Sequence, residues 1–138
     1  MDRSLIEEKL ESLRRCLQRI ALKCPASAET LATDLDAQDI VSLNLTRAVQ
    51  LSVDIAAHLI SSRNIPAPDT MGQAFDALAD ADLVPRELAL RLKKAVGFRN
   101  LAVHDYGAIN WYIVHTICQH GVDDFREFAL TILKLDPL

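Results

Sequence analysis

Apolar side chains surround almost the whole circumference of one long segment, residues 38–63, at the spacing of an α-helix. Its apolar positions are Ile40, Val41, Leu43, Leu45, Ala48, Val49, Leu51, Val53, Ile55, Ala56, Leu59 and Ile60. A helix that is apolar on several sides is stable only when other elements cover it. The pattern therefore predicts a buried central helix. Asp36 or Asp39 can cap its N-terminus, because a short carboxylate accepts hydrogen bonds from unpaired backbone N–H groups.

Four further segments carry the apolar stripe of a helix that packs on one side. They are residues 4–22, residues 71–79, a segment that runs from about Pro85 into residues 97–107, and residues 111–135. Asn110 can cap the last of these helices. Together the segments predict an all-α fold, namely an antiparallel up-and-down bundle of four long helices and one short helix. A chain of 138 residues fits one domain, which we take to span residues 1–138.

The cysteines and the apolar runs indicate the compartment. Cys16, Cys24 and Cys118 form no CxxC pair, and an odd number of cysteines does not suggest a disulfide framework. No apolar run approaches the ~20 residues of a membrane span, and the charged N-terminal residues lack the apolar centre of a signal peptide. We expect a reduced, cytoplasmic protein without membrane contact. The histidine and cysteine spacing does not match a metal site, so we expect no metal and no other cofactor.

The overall charge limits how this chain can meet nucleic acid. The formal net charge is -4, whereas a protein that coats nucleic acid by neutralising phosphates is usually basic. Any RNA contact therefore needs a local basic cleft, such as one assembled from two subunits. The basic run at residues 91–94 is typical of a solvated helix face, although on this helix it can also guide RNA.

A cluster of polar residues lies at the end of the helix that starts near Pro85. Asn100 and His104 are one helical turn apart and share a face. Arg99 and His104 are five residues apart, so on a regular helix their directions differ by about 140°. A long guanidinium arm or a relaxed last turn is then needed to bring both to one ligand.

The residue types in this cluster suit metal-independent cleavage of a phosphodiester bond. The imidazole of His104 can take a proton from a ribose 2′-OH or return one to the leaving oxygen at neutral pH. The guanidinium of Arg99 offers a planar set of donors to phosphate oxygens as charge builds on them. Asn100 can hold the sugar or orient the imidazole.

Three polar residues interrupt the apolar central helix on one side. Arg47, Asp54 and His58 follow one another at spacings of seven and four residues. Arg47 and Asp54 can form a buried ion pair that fixes the packing, or Asp54 can support Arg99 from behind. His58 is more typical of a structural histidine than of a catalyst.

Residues 99–106, with the sequence RNLAVHDY, resemble the R-N-x-x-x-H-x-Y motif of the HepT family in the HEPN superfamily. Three more segments resemble that family in the same order, namely residues 42–47 (SLNLTR), residues 53–60 (VDIAAHLI) and residues 94–100 (KAVGFRN). The resemblance covers nearly the whole chain.

The resemblance implies the toxin of a toxin–antitoxin system, an endoribonuclease that cleaves tRNA or mRNA through attack of a 2′-OH. Arg99 and His104 are its catalytic residues, and Asn100, Asp54 and Arg47 support them. The family implies a homodimer whose two motif helices face each other across an RNA cleft. It also implies a partner antitoxin, a minimal nucleotidyltransferase (MNT), which inhibits the toxin by transferring AMP to Tyr106.

Two other functions remain open at this point. A non-catalytic HEPN module that binds a nucleotidyltransferase is one, and the acidic net charge fits it well. A helical protein that only dimerises is the other.

Overall fold

The computed structural model describes residues 3–135, a range that contains helices and no strands. Its longest helices are α1 (Arg3–Lys23), α3 (Leu35–Ser62) and α5 (Arg86–His104). Shorter helices are α2 (Ala28–Thr33) and α4 (Met71–Asp80), and a 3₁₀ turn (Tyr106–Ala108) follows α5. The last long helix consists of α6 (Trp111–Thr116), a π-helical turn (Ile117–Gly121) and α7 (Val122–Leu133). The outermost residues of the predicted domain, 1–2 and 136–138, lie outside this range.

The four long helices form a closed bundle. Helix α1 packs on α3, α3 on α5, α5 on α7, and α7 returns to α1, while α4 covers α3 and α5. This arrangement confirms the predicted all-α bundle of four long helices and one short helix. The apolar periodicity also located the elements well, because the bounds of α1, α3 and α4 differ from the predicted ones by at most three residues.

The N-terminus of α3 is capped by a different residue from those predicted. Asp34 Oδ1 accepts a hydrogen bond of 3.0 Å from the backbone N–H of Ala37, so the prediction of Asp36 or Asp39 was wrong. The backbone N–H of Asp34 donates to the carbonyl of Thr30 and so also ends α2. One residue thus separates two helices, and α3 begins earlier than its apolar pattern indicates.

Helix α2 was not predicted. It has six residues, of which Leu31 is buried, and it packs on α6 and α3. The side chain of Gln38 donates a hydrogen bond of 2.9 Å to the Leu31 carbonyl, which ties α2 to the start of α3. A helix of this length has too few turns to show an apolar period.

The core of the bundle is built on aromatic and aliphatic side chains from every long helix. Phe75 of α4 meets Phe128 of α7 edge to face, with ring centroids 5.9 Å apart. Helix α5 is held on this core by buried residues, namely Leu88, Ala89, Leu92, Val96 and Phe98. Its last turn carries the exposed polar residues Asn100 and His104, and this is the part of the helix that matters for the site.

The last helix confirms the predicted cap and departs from regular geometry in its middle. Asn110 Oδ1 accepts from the backbone N–H groups of Tyr112 and Ile113. In the π turn, a Cβ on Gly121 would lie 3.0 Å from Cγ2 of Ile117, so glycine fits there because it has no side chain. None of the helices in residues 3–135 has the length and apolar character needed to cross a membrane.

Candidate active site

The motif residues occupy the last turn of α5. This helix stays α-helical through His104, and the N–H of Asp105 then donates to the Leu101 carbonyl at 2.8 Å. The last turn is therefore not relaxed, which leaves Arg99 and His104 about 140° apart around the helix axis. His104 is exposed and Arg99 half-buried, and within residues 3–135 no hydrogen bond joins the two. One copy of α5 does not bring them to one point.

The guanidinium of Arg99 is held by its neighbour. Arg99 Nη1 donates a hydrogen bond of 3.2 Å to Asn100 Oδ1, so the partner that the structure shows for Asn100 is Arg99 and not His104. Arg99 Nε is buried without a hydrogen-bond acceptor in the described part of the chain. A buried donor without an acceptor costs about 1–3 kcal/mol. Such unmatched donors call for an explanation, and a functional role is one.

Tyr106 is fixed where the chain leaves α5. Its phenol donates a hydrogen bond of 3.0 Å to Asp39 Oδ1, and the hydroxyl of Ser42 lies 3.5 Å from the phenol oxygen as a donor. The ring also packs edge-on against Trp111, with centroids 5.7 Å apart. Burial of part of the ring raises the pKa of Tyr106, the Asp39 carboxylate raises it further, and the hydrogen bond from Ser42 opposes this.

Sequence reasoning missed Asp39 and Ser42 as partners of Tyr106. Both are polar residues one turn apart near the start of α3, at 67 and 64 residues from the tyrosine. This pair of polar residues in a largely apolar helix was the sequence signal that could have indicated a polar contact. It does not by itself show which distant side chain the pair contacts.

Asp54 has a partner that was not predicted. Its Oδ2 forms an ion pair with Lys9 Nζ of α1 at 3.5 Å, and its Oδ1 accepts a hydrogen bond of 3.0 Å from Gln50. Within residues 3–135, neither Arg47 nor Arg99 bonds to Asp54, so the predicted Arg47–Asp54 pair does not form. The physical reason is that α1 packs along α3 and brings the lysine to the carboxylate.

Arg47 lies in a groove of about 770 Å³ between α1 and α3. Arg15 and Arg19 line the same groove, and Ile40, Leu43 and Leu51 give it apolar walls. The motif residues Arg99 and His104 do not line it. Within residues 3–135, Arg47 makes no hydrogen bond or ion pair with either motif residue, and its supporting role stays a prediction.

The basic run of α5 stabilises the fold. Arg91 bonds to Asp124 at 2.7 Å and to Glu127 at 2.8 Å, and Lys93 bonds to Asp76 at 2.8 Å. These pairs connect α5 to α7 and to α4, so Arg91 and Lys93 have acidic partners within the fold.

His115, Cys24 and Cys118 have structural contacts. His115 Nε2 lies 2.9 Å from the carbonyl of Pro25, and Cys24 lies within hydrogen-bonding reach of Cys118. Burial raises the pKa of both thiols. Over residues 3–135, no group of three or more His, Cys, Asp or Glu side chains is arranged as ligands of a metal ion.

Comparison with known proteins shows the family to which this chain belongs. A family model described as ribonuclease HepT-like matches residues 6–132 of the chain. The chain belongs to the HepT-like ribonuclease family. It is 36% identical over 132 residues to the mRNA nuclease HepT of Shewanella oneidensis. The aligned residues cover 96% of this chain and 98% of that protein. It is 27% identical over 106 residues to the tRNA nuclease HepT of Aphanizomenon flos-aquae, covering 77% of this chain and 72% of the relative.

Solved structures extend the HepT-like match to the fold. The tri-AMPylated HEPN toxin of Shewanella oneidensis, solved in complex with an MNT antitoxin, superposes with a TM-score of 0.90 at 34% identity. That match covers 98% of this chain and 100% of the toxin. The family resemblance and the HEPN fold predicted from residues 99–106 and their flanking segments are thus confirmed.

Proposed function

We propose that this HepT-like protein is the toxin of a toxin–antitoxin pair and a metal-independent endoribonuclease, acting in the cytoplasm as a homodimer of one domain spanning residues 1–138. The observation that carries the proposal is the accessible Arg99 and His104 motif at the end of a well-packed helix. It occurs in a chain that is similar to an mRNA nuclease over almost its whole length.

The angle between the motif residues supports a site built from two copies. In the last turn of α5, Asn100 and Val103 lie on the arc between Arg99 and His104, and Gly97 borders His104. One turn earlier the same arc is buried, because Val96 packs on the core. Val103 is 50% exposed, and a Cβ on Gly97 would meet nothing within 4 Å. This last turn is accessible and carries Val103 as an apolar contact, which suits packing against the same turn of a second copy. Such a pair of helices brings two guanidinium and two imidazole groups to one cleft.

The chemistry then follows from these side chains. One His104 imidazole takes the proton of a ribose 2′-OH, whose oxygen attacks the adjacent phosphorus. Arg99 donates to the phosphate oxygens as negative charge accumulates on them. The bond from phosphorus to the 5′-oxygen breaks, and the second imidazole returns a proton to that oxygen. The products are a 2′,3′-cyclic phosphate and a 5′-hydroxyl end, from a tRNA or mRNA substrate.

Regulation by a partner uses the tyrosine beside the site. An MNT nucleotidyltransferase antitoxin transfers AMP to Tyr106, two residues after His104. The added phosphodiester carries negative charge and bulk to the place where an RNA phosphate must bind, so it blocks the cleft. The relative solved in its tri-AMPylated form with an MNT antitoxin supports this step.

Cleavage of RNA in the presence of EDTA tests the proposal. We expect the purified wild-type protein to cut tRNA or mRNA and leave cyclic phosphate ends. His104→Ala and Arg99→Ala should each lower the rate by about 10²–10⁴-fold. His120→Ala is the matched control, because His120 is also exposed but belongs to the π turn and not to the motif. Intact RNA with unmodified wild-type protein would overturn the nuclease proposal in favour of a non-catalytic module that binds a nucleotidyltransferase.

A further inference from the structure

The hydrogen bond between Tyr106 and Asp39 links the end of α5 to the start of α3. The phenol oxygen lies 3.0 Å from Asp39 Oδ1 and 3.5 Å from the hydroxyl of Ser42. In residues 3–135, Asp39 is the charged side chain that hydrogen-bonds to this phenol. Tyr106 as a whole residue is 41% exposed to solvent.

The environment of the phenol keeps its proton in place. Burial and the neighbouring carboxylate both raise the pKa of Tyr106 above that of an ordinary tyrosine. Phenolate is therefore scarce at neutral pH, and a phenol that attacks phosphorus has to give its proton to another group during the reaction. The Asp39 carboxylate already receives the hydrogen bond along which that proton would move.

We infer that Asp39 is the general base for adenylylation of Tyr106. The inference rests on the proposed modification of this tyrosine. The phenol oxygen of Tyr106 forms a bond to the α-phosphorus of ATP, the bond between that phosphorus and the oxygen bridging to the β-phosphate breaks, and pyrophosphate leaves. The phenolic proton passes to Asp39 Oδ1. Asp39 is thus a catalytic residue that the toxin supplies to its own modification.

The remaining contacts of the phenol fit this role. The hydroxyl of Ser42 reaches one side of the phenol oxygen as a donor, and Trp111 holds the ring edge-on. The phenol oxygen donates to Asp39 and accepts from Ser42, so one lone pair remains for the bond to phosphorus. The proton moves to the carboxylate as the new bond to phosphorus forms.

The test measures AMP transfer to the full-length chain by its cognate MNT nucleotidyltransferase and ATP. Intact and peptide mass spectrometry give the initial rate and the modified residue. We expect Asp39→Asn to lower the rate at Tyr106 by about 10²-fold near neutral pH. The matched control is Asp36→Asn, an exposed aspartate in the first turn of the same helix, which should react at the wild-type rate.

A pH series separates proton transfer from a merely structural effect. In Asp39→Asn the rate should rise with pH, since ionisation of the phenol then replaces the lost base. The wild-type rate should change little over the same range, because the carboxylate and not hydroxide takes the proton. Ser42→Ala should retain the wild-type pH profile. Thermal unfolding of each variant shows that the fold is intact.

The outcomes are distinguishable. If wild-type protein takes AMP on Tyr106 and Asp39→Asn reacts at the same rate, or at a lower rate with an unchanged pH profile, the role of Asp39 is wrong while the proposed regulation stands. If wild-type protein takes AMP elsewhere or not at all, the proposed regulation fails, and the role of Asp39 fails with it.

Discussion

Arg99 and Asn100, adjacent on α5, are joined by a hydrogen bond of 3.2 Å from Nη1 of the arginine to Oδ1 of the asparagine. The asparagine thereby fixes the direction of a guanidinium whose Nε is buried without an acceptor in the described residues. A donor that is held in place before the substrate binds raises the reaction rate, because the donor does not have to be reoriented in each turnover.

Asn100→Ala should therefore slow RNA cleavage without unfolding the protein. We expect kcat to fall by about tenfold, less than for Arg99→Ala, because the guanidinium remains but loses its fixed position. Steady-state kinetics on a short RNA, with circular dichroism of each variant, checks this. Asn100→Asp is the informative companion, since its carboxylate keeps the acceptor but repels phosphate, so KM should rise. Equal rates for Asn100→Ala and wild type would show that the arginine needs no such support.

The raised pKa of Tyr106 gives a second measurable consequence. The chain has two tyrosines, so in Tyr112→Phe the ultraviolet absorbance of phenolate reports Tyr106 alone. We expect a titration midpoint above the value of about 10 for free tyrosine, since burial and Asp39 disfavour the phenolate. Adding Asp39→Asn should lower the midpoint. A midpoint at or below that of free tyrosine in folded protein would contradict the observed contact.

The same shift fixes the direction of the pH dependence of stability. The folded-state pKa of Tyr106 lies above the unfolded one, so the protonated phenol stabilises the fold fully at pH values below about 10. This contribution is lost as the pH rises through the folded-state pKa. Denaturant unfolding of wild type and Tyr106→Phe at increasing pH should thus show the difference between them shrinking in alkali.

The long helices could be predicted from sequence because each repeats its apolar stripe over several turns. Helix α2 could not, since Leu31 is its single buried residue and six residues hold fewer than two turns. The π turn at Ile117–Gly121 was also missed, because one widened turn barely disturbs the spacing of the apolar positions around it.

The motif could be found from sequence and its surroundings could not. Residues 99–106 lie together on one helix end, so their order along the chain already places them. The contacts of Asp54 with Lys9 and of Tyr106 with Asp39 cross between helices and depend on how α1, α3 and α5 pack. Local patterns carry no information on such partners, which is why the sequence offered only Arg47 or Arg99 as partners of Asp54.

Arg91 is expected to matter for stability. Its guanidinium bridges α5 to Asp124 and Glu127 of α7, through two hydrogen bonds of 2.7 and 2.8 Å. The pair is about 40% exposed at the arginine, so solvent screens it and Arg91→Ala should cost only about 1 kcal/mol of unfolding free energy. Urea unfolding at low and high salt measures this, with the loss smaller in high salt.

Phe128→Ala provides a reference for the loss of unfolding free energy when a buried side chain is removed. Phe128 is fully buried, so its removal leaves a cavity and should cost about 3–5 kcal/mol, independent of salt. An Arg91→Ala loss that equals this value, or that does not respond to salt, would mean that the arginine acts through packing of its alkyl chain and not through its charge.

Two helical glycines should respond oppositely to alanine. A Cβ on Gly97 meets nothing within 4 Å, so Gly97→Ala should stabilise the chain by up to about 1 kcal/mol through helix propensity. A Cβ on Gly121 lies 3.0 Å from Cγ2 of Ile117, a branched side chain with little freedom to rotate away. Gly121→Ala should therefore destabilise by about 1 kcal/mol. Urea midpoints of the two variants, compared at equal protein concentration, test the contrast.

Gly97→Ala should also separate stability from activity. Gly97 lies next to His104, at the edge of the α5 surface that the proposed dimer buries. In a single chain a methyl group there meets no other atom within 4 Å. In the proposed dimer the same methyl group adds bulk to the cleft between the subunits. We expect RNA cleavage to fall by about tenfold as the unfolding free energy rises, since a small displacement of catalytic groups is costly in rate. The rate of RNA cleavage and the oligomeric state from sedimentation, both measured on the same preparation, test this prediction. Unchanged cleavage by a stabilised Gly97→Ala dimer would show that the two motif helices do not approach each other along this surface.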